Sequence, residues 1–392
     1  MGCGWNIERM NSMTHRERFH KLMHFEPYDR IPIVHFGFWN ETVINWMNEG
    51  HISKEECKPY ATDQFVFDGS SEETCIARKL GFDYNYFNVA WTNFSLFPAF
   101  EKKILETTYD GFEKILTEQG VIELHRGNAK GIPARSGHLL TNRASWEEHF
   151  KHRLQPSTLR CEMAIAIMKA NEGQDEVDRI PLGLHCGSLF GVIRDIMGIE
   201  GISYLYADDE KLFNEIIETV AEISYQNTKN LLETGFRFDF AHFWEDICFK
   251  NGPLVAPQIF KQYVGPHYCR ITNLIGQYDI DIISVDCDGM IDLLIPIWLD
   301  NGVNTMFPIE VGTWGANISP WRAQYGKKLL GVGGVNKVVF SRDYESIDHE
   351  IERLKPLVEL GGYLPCIDHR IPPDAKWENI QYYCDRMHKI FG

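Results

Sequence analysis

The amino-acid sequence predicts an α/β protein built mainly on a (β/α)8 barrel, and three features of the 392-residue chain support this. Hydrophobic runs with strand composition alternate with helical segments of about 10 to 20 residues, which implies parallel strands joined by right-handed crossovers. About eight such units occur, the number that closes a barrel. Acidic residues or a histidine follow several of these runs, at the strand ends where such barrels carry their active sites.

Residues 1–29 are predicted to form an N-terminal tail and helix, and residues 30–392 the barrel domain. Thr14 is suited to cap the helix HRERFHKLMHF, and Glu17 stands three residues on, as in a capping box. Pro27 lacks a backbone N–H and ends this helix. A first strand, RIPIVHFGFW, and a helix, ETVINWMNEG, come next.

The chain between residues 60 and 155 is less regular. SSEETCIARKLG is predicted to be helical and FDYNYFNVAW extended, whereas the run from Ile104 to Leu124 has the pattern of antiparallel hairpins. Residues 82–124 are therefore predicted to be an irregular insertion or lid.

After Ser157 a helix runs to Met168, and the alternation then becomes clear. The predicted strands are IPLGLH, FDFAHFW, IDIISVD, TMFPIEV, LLGVGG and YLPCID, and each is followed by one or two predicted helices. GVGGVN lacks the third glycine and the ribose-binding acid of a dinucleotide loop, so its glycines are expected to allow a tight turn at the barrel rim.

Composition excludes several classes of protein. The net charge is -16 and the basic residues are scattered, which argues against binding to nucleic acid or to an anionic membrane surface. Ten cysteines at irregular positions, without a CxxC pair or a secretory signal, predict reduced thiols and a cytoplasmic location. No apolar stretch approaches membrane-spanning length.

Four acidic or histidine clusters follow predicted strands, and they are Glu245-Asp246, Asp286 to Gly289, Glu310 and Asp368-His369. Carboxylates that converge on one barrel mouth repel one another unless they are protonated, paired or bound to a cation. The sequence therefore predicts a divalent metal bound by Asp286, Asp288, Glu310 and His369, with zinc, manganese or iron suited to such ligands. The alternative is that Asp288 caps the next helix and Asp368 orients His369 without a metal.

Other candidates carry weaker signals. Asp246 is a candidate catalytic acid or substrate contact, with a helix cap as the alternative, and His185 is a candidate catalytic group, with a buried hydrogen-bonded imidazole as the alternative. Cys287 and Cys366 are expected to be buried. An apolar substrate pocket is predicted from aromatic residues and a histidine near strand ends, which in the alternative interpretation are plain core: His35, Trp39, Phe87 and Trp91.

Four blocks of the chain resemble a known family. They are MTHRERFHKLMHFEPYDRIPI, GLHCGSLFGVIRDIMG, VDCDGMIDLLIPIWLDNGVNTMFPIE and GGYLPCIDHRIPPDAKWENIQYY, and together they are similar to the uroporphyrinogen decarboxylase superfamily. The resemblance implies a (β/α)8 barrel. It leaves two kinds of activity, porphyrinogen decarboxylation and zinc-dependent methyl transfer with corrinoid proteins.

The decarboxylase branch carries an arginine-rich stretch after its first strand, and here HFGFWNETVINW takes that place without Arg or Lys. The methyltransferase branch binds zinc through His-x-Cys-Gly and a final Cys. In this chain Asp286-x-Asp288-Gly289 stands at the first position and His369 at the second, so the resemblance implies a metal site with altered ligands.

The sequence and this resemblance together predict a metal-dependent methyltransferase. It would move a methyl group from a small donor, such as a methoxylated aromatic, to the cobalt of a corrinoid carried by a separate corrinoid-binding protein. Assembly into a homo-oligomer is compatible with the sequence. The alternatives are a decarboxylase of a small carboxylate and a non-catalytic binding barrel.

Overall fold

The computed structural model describes residues 13–61, 66, 68–126, 133–173 and 180–392. Its first helix, His15–Met23, begins after Thr14 and ends before Pro27. The Thr14 hydroxyl oxygen accepts a hydrogen bond from the Glu17 N–H, and the Glu17 carboxylate accepts one from the Thr14 N–H. The predicted capping box is thus confirmed.

A sheet of parallel strands forms the centre of the protein. The strands are buried on both faces, as expected for a parallel sheet covered by helices. In chain order they are Val34–His35, Tyr84–Asn85, Val89–Ala90, Gly183–His185, Phe240–Trp244, Ile283–Asp286, Thr305–Ile309, Leu330–Val335 and Tyr363–Ile367.

The sheet closes into a barrel of eight strands. Its hydrogen-bonded order begins with Tyr84–Asn85 and ends with Val89–Ala90, which are the two halves of the segment 84–90 and are joined by a turn. The first half pairs with Val34–His35 and the second half with Gly183–His185. Because both edges of the sheet belong to the same segment, the edges meet, and the predicted (β/α)8 barrel is confirmed.

Helices pack around the outside of this barrel. In the longest, Glu210–Leu232, buried residues recur every three or four positions, so one face of the helix packs on the core. The described α-helices are His15–Met23, Asn40–Glu49, Lys54–Cys57, Ser71–Leu80, Arg143–Ser145, Glu162–Asn171, Gly191–Met197, Ile199–Asp208, Glu210–Leu232, Pro257–Ile259, Gly265–Gly276, Ile295–Asp300, Val311–Trp314, Ile318–Tyr325, Tyr344–Val358 and Trp377–Phe391. Among the described residues, no helix is long and apolar enough to cross a bilayer.

The first helix covers the N-terminal end of the barrel. Phe19, Leu22 and Met23 are buried in one cluster with inward-facing strand residues, and the Phe19 and Phe240 ring centroids lie 5.5 Å apart. The Leu22 carbonyl accepts a hydrogen bond from the N–H of Gly362, just before the last strand. Access to the barrel interior is therefore from the opposite end, where the strands finish.

An antiparallel sheet is inserted in the chain between the barrel strands Val89–Ala90 and Gly183–His185, and its members are Lys103–Thr107, Glu113–Leu116, Val121–His125 and Ala134–His138. The predicted hairpins between residues 104 and 124 are present, but the insertion differs from the predicted span of 82–124. Residues 84–90 belong to the barrel, because their aromatic run is buried between two strands. The sheet also continues to His138, and its last strand is largely exposed and lacks a hydrophobic pattern.

Candidate functional site

A cavity of about 500 Å³ opens at the ends of the barrel strands. Most of its walls are segments that directly follow a strand, which is where barrel enzymes place their reactive groups. The described lining residues are Phe36, Trp39, Asp68, Phe87, Trp91, Phe94, Ser95, Gln119, Val192, Asp195, Trp244, Asp246, Asp286, Asp288, His369 and Arg370.

Three aspartates face this cavity together. Asp286 is the last residue of the strand Ile283–Asp286, and Asp246 lies just after the neighbouring strand, whose last residue, Trp244, is paired with Asp286. One carboxylate oxygen from each of Asp246, Asp286 and Asp288 lies within 4.8 Å of the other two. We call these residues the three-aspartate cluster.

Asp246 is held in place by its backbone. Its φ is 49°, in the left-handed region that few residues other than glycine adopt. Its Oδ1 atom accepts a hydrogen bond from the Asp288 N–H at 3.2 Å, and its carbonyl accepts one from the Arg194 guanidinium at 2.6 Å. Burial and then the Asp288 charge raise the pKa of Asp246 to about 7. This carboxyl group therefore titrates near neutral pH.

Asp286 lies deeper in the cavity and is 7% exposed. Among the described residues, no donor forms a hydrogen bond with its carboxylate, although the Arg370 charge acts on it. Burial, followed by the charges of Asp246 and Asp288, raises the pKa of Asp286 well above its ordinary value. A buried carboxylate in this position requires a proton or a cation.

His369 borders the cluster. Its Nε2 atom lies 3.6 Å from Oδ2 of Asp288, and its ring stacks on Trp39 with centroids 5.7 Å apart and an interplanar angle of 21°. The Phe36 ring also lies against the His369 ring, with centroids 5.6 Å apart and an interplanar angle of 58°. The predicted ligands Asp286, Asp288 and His369 are thus brought to one cavity.

Glu310, the fourth predicted ligand, lies beside the cluster and outside it. One carboxylate oxygen accepts a hydrogen bond from the Gly289 N–H at 2.5 Å, and the other accepts one from the Thr313 hydroxyl at 2.8 Å. These bonds hold the loop that carries Asp288. Asp246, predicted as a catalytic acid, takes the place of Glu310 among the clustered carboxylates.

Two further acidic residues at strand ends hold backbone segments. Glu245 is fully buried and accepts hydrogen bonds from the N–H groups of residues 189–191, at the start of the helix Gly191–Met197. Asp368 accepts hydrogen bonds from the backbone N–H groups of Gly312 and Lys337. Both carboxylates therefore have structural partners.

The three-aspartate cluster fits a divalent cation. It combines oxygen ligands, a buried carboxylate that no described residue bonds as a donor, and a nearby imidazole, a set that suits zinc, manganese or magnesium. The thiols nearby do not join it. Cys287 turns away and accepts a hydrogen bond from the Ile247 N–H at 3.4 Å, and Cys366 is fully buried in the barrel interior, which confirms the expected burial of both.

Aromatic rings form the opposite wall of the cavity. Phe36 and Phe87 lie 5.7 Å apart and nearly parallel, and Phe87 and Trp91 lie 5.7 Å apart at 15°. Trp39 extends this wall through His369 and is 38% exposed. Three of the four predicted substrate contacts, Trp39, Phe87 and Trp91, therefore line the cavity.

The fourth predicted substrate contact, His35, lies outside the described lining. It is fully buried, its Nδ1 atom accepts a hydrogen bond from the Gly37 N–H at 3.0 Å, and it lies 3.7 Å from the Glu73 carboxylate. Burial lowers the pKa of His35 to about 3. This imidazole is a neutral part of the core.

His185 is buried behind the aromatic wall. Trp91 and Phe94 cover its ring, with centroids at 4.1 and 4.8 Å, and burial lowers its pKa well below the ordinary value. Both ring nitrogens are without a hydrogen-bond partner among the described residues. A catalytic contact of His185 with substrate would require movement of one of these two rings.

The sequence-based prediction missed a charged pair on the cavity wall. Arg370 donates two hydrogen bonds to Asp68, at 2.9 and 2.6 Å. Arg370 directly follows His369, which was a usable signal, but Asp68 is 302 positions away and nothing in the local pattern marks it. The prediction also missed two other lining residues, Trp244 at the end of a barrel strand and Gln119 in a turn of the inserted sheet.

Residues 145–390 match the family described as uroporphyrinogen decarboxylase. No curated protein matches the sequence.

Among solved structures, a methyltransferase from Methanosarcina mazei aligns with a TM-score of 0.62 and 14% identity, over 97% of this chain and 100% of that one. A B12-independent methionine synthase from Shewanella sp. W3-18-1 aligns with a TM-score of 0.45 and 13% identity, over 92% and 98% of the two chains.

Proposed function

The chain belongs to the uroporphyrinogen decarboxylase family, and on that premise we propose that it transfers a methyl group from a small donor to a corrinoid carried by a partner protein. The observation that carries this proposal is the three-aspartate cluster facing a cavity walled by aromatic rings. A methyltransferase with the same fold is consistent with it.

The cavity is poorly suited to a porphyrinogen with its many carboxylates. Among its described lining residues, Arg370 is the one guanidinium, and it is already paired with Asp68. The three-aspartate cluster would repel further carboxylates. A compact donor with little negative charge is therefore the better substrate class, and a methoxylated aromatic is one candidate.

The metal dependence is also part of the proposal. Asp246, Asp286 and Asp288 would hold a divalent ion, with His369 at its edge, and zinc is the ion that the family resemblance implies. Such an ion, when bound, supplies a Lewis acid that polarises a leaving oxygen or nitrogen. The alternative source of electrophilic help is a proton on Asp246, which has a pKa of about 7.

The protein's own side chains position the donor and exclude water. The rings of Phe87, Trp91 and Phe94 give the methyl group an apolar wall opposite the carboxylates. Among the described lining residues there is no cysteine to act as a nucleophile. The methyl acceptor must therefore enter through the open mouth, and a reduced corrinoid implies a reducing compartment such as the cytoplasm.

The test is the formation of methylcobalt, followed by its absorption change. Purified protein is mixed with cob(I)alamin or a cobalt(I) corrinoid protein and with a panel of methyl ethers and methylamines. We expect methylcobalt only when protein, corrinoid and a suitable donor are all present. Asp288→Asn should slow its formation, whereas Asp279→Asn, an exposed residue at the other end of the barrel, should not. Release of carbon dioxide from a carboxylate without corrinoid would contradict the proposal.

A further inference from the structure

The acidic groups of the cavity are not balanced by bases. Among the described residues, five aspartates line the cavity, and two of them have cationic partners. Asp68 is paired with Arg370, and Asp195 lies 3.0 Å from Arg194 and 3.1 Å from Arg135. The remaining three aspartates, 246, 286 and 288, face the cavity beside His369, and the Arg370 charge that acts on Asp286 is shared with its ion-pair partner Asp68.

Aromatic rings surround the space in front of these carboxylates. Among the described residues, the aromatic rings that line the cavity are Phe36, Trp39, Phe87, Trp91, Phe94 and Trp244. Centroid distances of 5.6 to 6.4 Å connect Trp39 to Phe36 through His369, Phe36 to Phe87, Phe87 to Trp91, and Phe94 to Trp244. Such a wall attracts an organic cation with apolar substituents more strongly than a neutral molecule, because the faces of aromatic rings carry partial negative charge.

The two features together select for one chemical class. Aromatic faces combined with carboxylates recognise quaternary ammonium groups, whose methyl groups pack on the rings while the charge is attracted by both. A neutral aryl methyl ether would use the rings and leave the carboxylates uncompensated. An anion would be repelled by them. The buried Asp286 has no hydrogen-bond donor among the described residues and so requires a proton or a cation, and an ammonium group in the cavity would serve as that cation.

We propose that the cavity binds a small N-methylated ammonium compound, held between the aromatic wall and the three-aspartate cluster. The role of this compound as methyl donor rests on the proposed function, but its binding does not. A divalent ion bound to three ionised carboxylates leaves one excess negative charge, so the preference does not require a metal-free site.

The bond changes of such a transfer are balanced. The methyl carbon forms a bond with the corrinoid nucleophile of the partner protein, which contributes the electron pair. The carbon–nitrogen bond breaks with both of its electrons remaining on nitrogen. The ammonium group therefore leaves as a neutral tertiary amine, and no proton is needed. Asp246 and Asp286 would hold the positive charge until that bond breaks.

Calorimetric binding to the purified full-length protein tests this inference without any corrinoid. The probes are choline, its uncharged analogue with carbon in place of nitrogen, and para-methoxybenzoate. Titrations are run on the metal-depleted protein and again after loading with zinc. We expect choline to bind at least 10-fold more tightly than its carbon analogue in both preparations. Asp286→Asn should reduce this ratio to below 3-fold, and Asp279→Asn should leave it unchanged.

Equal affinity for choline and its carbon analogue would overturn the inference. Tighter binding of para-methoxybenzoate would overturn it as well. Trp39→Leu, a substitution of a partly exposed ring, should weaken choline binding without unfolding the barrel. Choline binding without methylcobalt formation from any donor would leave the inference standing and refute the methyl transfer. Methylcobalt formation from aryl ethers without choline binding would support the methyl transfer and refute the binding inference.

Discussion

The backbone N–H of Asp288 donates a hydrogen bond to Oδ1 of Asp246 over 3.2 Å, which ties together the ends of two neighbouring barrel strands. This bond brings two carboxylates close although their charges repel. A second bond, from the Gly289 N–H to Glu310, fixes the same loop from the other side. The backbone therefore places the acidic groups before any cation is bound, as a preorganised site requires.

The first prediction is that the purified protein contains one divalent ion per chain. Asp286→Asn and Asp288→Asn should lose this ion, with metal affinity falling by more than roughly 100-fold. Loss of a residue that only hydrogen-bonds to a metal ligand already lowers metal affinity by about 10- to 100-fold, and loss of a ligand itself should cost more. Elemental analysis after dialysis measures the loss. Glu310→Gln is the discriminating variant, since its carboxylate binds Gly289 and Thr313. Loss of the ion in Glu310→Gln together with retention in Asp286→Asn would contradict the observed grouping and support Glu310 as the ligand.

The second prediction concerns the stability of the metal-free protein. Burial and Asp288 raise the pKa of Asp246 from 3.8 to about 7, so the folded state binds a proton more tightly than the unfolded state. The stability from this proton is fully present below about pH 4 and is lost as the pH rises through 7. At 1.36 kcal/mol per pKa unit, the loss is no more than about 4 kcal/mol.

Urea denaturation at pH 5 and pH 7.5, in the presence of a chelator, measures this loss. Asp246→Asn should flatten the dependence on pH, and asparagine is suited to the left-handed backbone at this position. If the free energy of unfolding changed equally between the two pH values in the variant and in the wild type, Asp246 would be ruled out as the source of the loss.

The third prediction is structural. Glu245→Ala should destabilise the protein by about 3 kcal/mol or more, because it leaves three backbone N–H groups at residues 189–191 and the Tyr268 hydroxyl without their acceptor. Denaturant unfolding is the measurement. Glu359→Ala, at an exposed helix end, is the matched control and should change the free energy of unfolding by less than about 0.5 kcal/mol.

Much of this architecture follows from local sequence. The strand Ile283–Asp286 is buried along its whole length, as expected for a barrel strand, and the alternation of side chains explains why Asp286 and Asp288 face the cavity while Cys287 turns away. The capping box at Thr14 is likewise a purely local signal. These features depend on residues a few positions apart.

Other features depend on contacts between distant segments. The ion pair of Asp68 with Arg370 joins residues 302 positions apart. Local pattern could not separate Glu245, which binds the start of a helix, from Asp246, which faces the cavity. It also could not show that His35 is sealed in the core, since a histidine at a strand end can face either the cavity or the packed interior.

The fourth prediction concerns His369, which lies 3.6 Å from Asp288 and stacks on Trp39. Its side chain is 22% exposed, so His369→Ala removes few buried contacts and should shift the midpoint of thermal unfolding by only a few degrees. Its imidazole is a ligand or an orienting partner of the cluster, and its loss should lower metal affinity and the rate of methylcobalt formation by roughly 10- to 100-fold. His369→Gln keeps a polar group of similar length and should recover part of the metal affinity and part of the rate.

Parallel measurements of metal content, unfolding temperature and the rate of methylcobalt formation separate an effect on the site from an effect on stability. A His369→Ala protein that unfolds at a much lower temperature, yet retains its metal, would show that the imidazole stabilises the barrel mouth and has no part in the site.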